Sequence, residues 1–314
     1  MNGSGTTMLL DCLNNHPNIY GFRRETLIFP KYLNEIDRYG NLNNTNNFKM
    51  LFQNITNENA FRSVNDLKPI PFPDEWLEFP RELSSVINYV FTYFSVKEQK
   101  SRWAEKTPIN GLYMQEILKH FPLAKFIHII RDGRDCAASL NRRYGYSPNL
   151  MITKWKHVVK ETRKKGRIAG KQYYEVFYED VSTMPEKSMR DICKFLEEPY
   201  APELLKTSRF RKNINSTGTC KIIPNSNKWQ KYFTSKKALN LEKIAGKELQ
   251  QLGYKTTLSN GDKTPCKLYI RFWMYYGYAL SRMTAMVRHR KQLRREIAFS
   301  IDKYKSRARL NKTF

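Results

Sequence analysis

The stretch KFIHIIRDGRD, residues 125–135, limits the possible folds more than any other. Phe126 to Ile130 is an apolar run of strand length, closed by a charged turn. From about Asp135 the apolar positions Ala137, Ala138 and Leu140 recur with helical spacing. A second unit of the same kind follows: YYEVFYED (173–180) reads as a strand closed by acids, and 185–197 as a helix. Strand, charged turn and helix, repeated, is the rhythm of an α/β fold on a parallel sheet, whose ligands gather at the carboxyl ends of the strands. Arg131-Asp132 and Glu179-Asp180 fall at those ends. Further helices are predicted over 6–15, 81–98, 110–120, 150–168 and 201–212, and 40–75, rich in Asn and Pro, reads as irregular with short helices.

The chain opens on Gly3-Ser4-Gly5-Thr6-Thr7, which runs directly into the first apolar helix. Backbone N–H groups at a helix N-terminus favour an anion, glycines let the backbone come close, and the threonine hydroxyls add donors. No lysine precedes the Thr pair, so the full nucleoside-triphosphate loop pattern is absent and a kinase or GTPase is disfavoured. A Gly-Ser turn that merely caps a helix fits the same residues. Arg131 carries a fork suited to a phosphate dianion, and Ser139, eight residues on, carries a hydroxyl donor. A surface turn capping a helix through Asp135 is the plainer alternative. By themselves, Glu25 reads as a solvated acid beside Arg23 and Arg24, and Lys106 as half of a surface salt bridge.

Charge is the compositional outlier: 55 Lys and Arg against 29 Asp and Glu, a net charge of +26. It points to a polyanionic partner, or to nothing beyond solubility. The five cysteines show no CxxC spacing and the five histidines no metal pattern, so reduced thiols and no metal are expected. No signal peptide and no apolar run of 18 residues is seen. Asn-X-Ser/Thr patterns at Asn43, Asn54 and Asn215 are of the number chance supplies in an Asn-rich chain. Residues 259–314 read as a basic, aromatic helical extension to a domain over 1–258; from Asp262 onward, 14 Lys and Arg stand against 3 Asp and Glu. The extension suits contact with an anionic membrane surface or packing on the preceding domain; nucleic acid is the weakest of its readings.

Six motifs in order carry a resemblance: Gly-Ser-Gly-Thr-Thr, Arg24-Glu25-Thr26, Glu105-Lys106-Thr107-Pro108, Ile130-Arg131-Asp132-Gly133-Arg134-Asp135, Phe177-Tyr178-Glu179-Asp180 and Asn227-Lys228-Trp229. Together, over Asn2 to about Tyr254, the chain resembles the sulfotransferase superfamily that uses 3′-phosphoadenosine 5′-phosphosulfate (PAPS), and most closely the branch of tyrosylprotein, carbohydrate and bacterial sulfotransferases. The resemblance implies a P-loop NTPase-like three-layer α/β fold, with a central parallel sheet between helices. It implies PAPS as co-substrate, no metal, and a hydroxyl acceptor, with an anionic polysaccharide suggested by the charge. Gly3, Ser4, Gly5, Thr6 and Thr7 would take the 5′-phosphosulfate, and Arg131 and Ser139 the 3′-phosphate. Tyr178 and Lys228 would touch the nucleotide, Lys106 would stabilise the transferring sulfuryl group, and Glu25 would be the general base. Sulfuryl transfer is an in-line displacement like phosphoryl transfer, so such residues act by positioning and charge stabilisation.

Two departures from the pattern stand out. Gly3 replaces a basic residue of the family loop, so Arg23, Arg24 or another nearby residue must take over its role, or catalysis is weaker. The family also places an apolar strand directly before the loop, where this chain has Met1. The first strand is therefore expected to be absent and the chain to be truncated at its N-terminus. The runner-up function is a non-catalytic, sulfotransferase-like anion binder. The expected location is the cytoplasm, peripheral at a membrane.

Overall fold

The computed structural model describes residues 1–73, 76, 80–206 and 226–257. The predicted 259–314 extension and half of the predicted 201–212 helix, residues 207–212, lie outside the described residues; at 202–205 a single 3-10 turn is seen.

In chain order the elements are α1 (Thr6–Asn14), β1 (Ile19–Phe22), α2 (Ile28–Glu35), α3 (Thr45–Thr56), α4 (Asn59–Arg62), α5 (Leu83–Lys97), β2 (Arg102–Glu105), α6 (Met114–His120), β3 (Phe126–Ile130), α7 (Gly133–Tyr144), α8 (Pro148–Ala169), β4 (Tyr173–Phe177), α9 (Tyr178–Thr183), α10 (Pro185–Leu196), α11 (Trp229–Tyr232) and α12 (Ser235–Gln251). All strand pairing is parallel, as the sequence rhythm predicts. β1 pairs with β2, with Phe22 opposite Glu105; β3 pairs with β4, with Ile130 opposite Phe177. Among the described residues these are two separate sheets. A cavity of about 830 Å³ is lined by residues of both β2 and β3. Each strand then delivers its next residues to the carboxyl side: Arg23 to Thr26 after β1, Lys106 after β2, Arg131 after β3 and Tyr178 after β4.

Helices bury these strands in three apolar clusters. Phe22, Phe61, Phe91 and Phe94 interlock around β1, with ring centroids 5.2–5.5 Å apart for the pairs Phe22–Phe61, Phe22–Phe91, Phe22–Phe94 and Phe61–Phe91. Tilted and edge-on rings of this kind add attraction beyond area burial. The same cluster takes in 40–75, read as irregular with short helices, where α3 and α4 form. Phe48, Leu51, Phe52 and Ile55 recur at helical spacing and bury one face of α3, capped by the Asn44 side chain. Met8, Leu9, Cys12 and Leu13 of α1 join Met189, Ile192 and Cys193 of α10 under β3 and β4. The third cluster packs α7, α8 and α12 around Trp155, which is fully buried. Cys12, Cys136 and Cys193 are buried and unpaired, in line with reduced thiols.

Behind β3 lies a polar chain: His128 Nδ1 is 2.6 Å from Tyr173 Oη, which donates to Glu175 Oε1 at 2.8 Å, and Arg163 Nε donates to the same carboxylate at 2.9 Å. Burial, reinforced by nearby positive charge, holds the His128 pKa at about 3. The unfolded chain takes up a proton on this ring below its ordinary value of 6.5, whereas the folded chain does not until about 3. Stability therefore falls as pH is lowered through that window. His128→Gln is expected to flatten the pH dependence of the urea-unfolding free energy between pH 6 and 4, by up to about 1.4 kcal/mol per pH unit. An unchanged slope would mean that the ring is protonated in the fold.

Candidate active site

The anion loop rests on two left-handed glycines, Gly3 at φ +87° and Gly5 at φ +97°. A side chain at such φ costs roughly 1–2 kcal/mol. At Gly5 space forbids it as well, because a Cβ there would lie 2.4 Å from Tyr178 Cδ2. Gly5 holds the N-cap position just before α1, and no side chain caps the helix there. The first N–H groups of α1 thus keep their capacity for an anion, with Thr6 and Thr7 half-buried beside them. Ser4 is buried, its Oγ 3.5 Å from Cys136 Sγ. Burial pushes the Cys136 thiol up to about 11, so the cysteine is an inert neighbour.

Arg131 ties this loop to the second sheet. Its Nη1 donates to Gly3 O at 3.0 Å, and its Nη2 lies 3.5 Å from Asp135 Oδ2. Its guanidinium carbon sits 4.4 Å from the centroid of the Tyr178 ring, the same ring that abuts Gly5. The arginine carbonyl accepts from Trp155 Nε1 at 2.9 Å. Asp135 then reaches the segment after the undescribed 207–225: its Oδ1 accepts from Trp229 N at 2.9 Å. Arg134 lies 4.0 Å from the centroid of the Trp229 ring and forms buried ion pairs with Asp132, at 2.7 Å, and Glu242, at 2.6 Å. Lys228 is held next to this anchor with its own side chain exposed.

On the other sheet, Lys106 Nζ lies 2.7 Å from Glu25 Oε1. Lys106 shares the cavity with Thr6 of the loop. Its side chain is 12% exposed and that of Glu25 40%, so the acid is reachable from solvent while the ammonium is tucked in.

The predicted residues thus group as follows. Gly3 to Thr7, Arg131 and Tyr178 form one cluster; Glu25 and Lys106 form a pair beside it. Ser139 stands on α7, one helix turn before Arg143, whose Nη2 donates to its Oγ at 2.7 Å. Arg143 was not predicted, although its i+4 position relative to Ser139 would have revealed it. Lys154 on α8 was also missed. Burial pushes its ammonium below the ordinary lysine value, opposed by the charge of Glu25, which places it within electrostatic reach of that acid. No sequence spacing links Lys154 to Glu25; only the fold does. Tyr178 opens α9 instead of ending the strand. Among the described residues no cluster of metal-ligating side chains occurs, and no helix is long and apolar enough to cross a membrane.

An uncapped helix N-terminus, an arginine fork and a lysine–carboxylate pair thus stand at the carboxyl ends of parallel strands, an arrangement whose chemistry suits an anionic ligand. The sequence model of the Sulfotransferase family matches residues 1–202, and the chain belongs to that family. It is 29% identical over 133 residues to a protein-tyrosine sulfotransferase of Drosophila melanogaster, covering 40% of this chain and 27% of that protein. It is 24% identical over 189 residues to a putative protein-tyrosine sulfotransferase of Caenorhabditis elegans, covering 52% of this chain and 70% of that one. The chain thus spans about a quarter of the length of the fly relative. Among solved structures, the sulfotransferase domain of the Synechococcus PCC 7002 olefin synthase shares the fold, with a TM-score of 0.52 at 21% identity over 81% of this chain and 92% of that one.

Gly5→Ala is expected to destabilise the fold by at least about 2 kcal/mol in urea unfolding, combining the left-handed φ with the overlap on Tyr178. Adding Tyr178→Ala should cost less in the Gly5→Ala background than alone, because it removes the overlap. Strict additivity would refute the contact.

Proposed function

We propose that this protein transfers a sulfuryl group from PAPS to a hydroxyl acceptor by in-line displacement. The observation that carries the reading is the Lys106–Glu25 pair, 2.7 Å apart, with Lys106 lining the same cavity as the loop residue Thr6. When bound, PAPS supplies an activated sulfuryl group whose S–O bond to the phosphate breaks as the bond to the acceptor oxygen forms. Gly3 to Thr7 hold the 5′-phosphosulfate on backbone N–H groups and hydroxyls. Arg131, with Ser139 and Arg143, holds the 3′-phosphate, while Tyr178 and Lys228 flank the nucleotide. Two phosphate sites make a triphosphate-loop lysine unnecessary. Glu25 takes the acceptor proton, and Lys106 offsets the negative charge that develops on the transferring group.

Lys106, which lines the same cavity as Thr6, also supplies positive charge to a loop that carries glycine at position 3. The matched relatives are named for protein tyrosine, so a tyrosyl phenol is the first acceptor to test; an anionic polysaccharide, suggested by the net charge of +26, is the second.

Calorimetric titration with 3′-phosphoadenosine 5′-phosphate is expected to show binding that needs no magnesium and that ATP does not match. Lys106→Ala and Glu25→Gln should each lower turnover about 100-fold or more, with the affinity for that nucleotide held within about threefold, since neither side chain is assigned to the nucleotide phosphates. A folded protein that ignores the nucleotide would overturn the donor assignment. Full turnover by Lys106→Ala would overturn the mechanism.

A further inference from the structure

Next to Lys106 in the chain stands a half-buried carboxylate with no role so far. Glu105 ends β2 opposite Phe22, which ends β1. Its Oε1 accepts from Thr107 Oγ1 at 2.6 Å, from Thr26 Oγ1 at 2.9 Å and from Thr26 N at 3.5 Å. Its Oε2 accepts from Asn110 Nδ2. Among the described residues no cation pairs with it: its partners are neutral donors from two segments, one after each strand. Thr107 Oγ1 in turn accepts from Leu27 N at 3.3 Å, and Thr26 Oγ1 from Ile28 N at 3.3 Å. The turn so held is strained, because Leu27 sits at φ +54° with an exposed side chain. A branched residue stays in that conformation only where its surroundings over-determine it.

The sequence neighbours give the arrangement its meaning. Thr26 directly follows Glu25, and Glu105 directly precedes Lys106. A bond between Thr26 and Glu105 therefore fixes where Glu25 and Lys106 leave their two strands. We infer that Glu105 is a positioning residue that, through Thr26, sets the carboxylate of Glu25 against the ammonium of Lys106. This rests on the sulfuryl-transfer reading for its catalytic meaning but not for its geometry. Burial raises the Glu105 carboxyl above the ordinary range, and the bonds from Thr107, Thr26 and Asn110 oppose that rise. Four donors are the compensation expected for an acid taken out of water without a counter-ion.

Glu105→Ala leaves those donors unpaired and can unfold the chain. The decisive variants are therefore Thr26→Val, which keeps the shape and loses the hydroxyl, and Thr26→Ser, which restores it. Two readouts are taken. The first is the rate of acetylation of Lys106 by acetic anhydride, followed by peptide mass spectrometry. The second is turnover of PAPS with a tyrosine-containing acidic peptide, beside the affinity for 3′-phosphoadenosine 5′-phosphate. In Thr26→Val, Lys106 is expected to react at least about threefold faster, as in Glu25→Ala, and kcat to fall at least about tenfold with nucleotide affinity unchanged. Thr26→Ser should match the parent in both.

A Thr26→Val protein with parental Lys106 reactivity would overturn the proposal. So would a fall in nucleotide affinity and melting temperature that Thr26→Ser shares. If the parent shows no transfer while Lys106 still responds to Thr26→Val and not to Thr26→Ser, the clamp stands and the sulfuryl-transfer reading fails.

Discussion

Arg131 is the residue on which the rest of the site depends. It stands at the carboxyl end of β3 and is almost fully buried. An arginine so placed takes partners from within the protein, and each of them fixes another part of the site. The Gly3 carbonyl brings in the loop, the Tyr178 ring brings in α9 and shapes the space at Gly5, and Asp135 brings in the segment around Trp229. The arginine carbonyl, held by the Trp155 indole, sets the strand end against α8. Three stretches of chain far apart in sequence thus converge because one guanidinium has more donors than any one of them could satisfy.

The β1–β2 sheet works by a different means. Its charges stand on short segments that leave β1 and β2 side by side, and the parallel register brings them together. Parallel pairing thus puts an acid and a base from distant parts of the chain within 2.7 Å of each other with no dedicated scaffold. The helices behind, above all α5 with its phenylalanines, hold the two strands so that this register persists.

The sequence was most legible where chemistry and local pattern coincide. The apolar run before Arg131, the left-handed glycines before an apolar helix, and the long basic α8 all carry strong local signals. β1 and β2 did not: four residues each, one reading Ile-Tyr-Gly-Phe and the other Arg-Trp-Ala-Glu, they show no alternation, and only their pairing makes them strands. α12 also went unread, its buried Leu241, Ala245 and Leu249 spread thinly among lysines. Partners such as Arg143, Lys154 and Glu105 were hidden for the opposite reason. Each is an ordinary charged residue in sequence, and its meaning lies in what the fold sets beside it.

The trio of Arg134, Asp132 and Glu242 has a consequence for how the protein responds to its medium. These charges are almost wholly shielded from water, and the Trp229 ring covers the guanidinium. Dissolved ions screen exposed charges within about 10 Å at ordinary ionic strength but hardly reach buried ones. Salt would therefore weaken any attraction of exposed Lys228 and Arg143 for an anion without loosening the segment that carries Lys228. The anchor and the grip are built from the same kind of charge, yet ionic strength acts on only one of them.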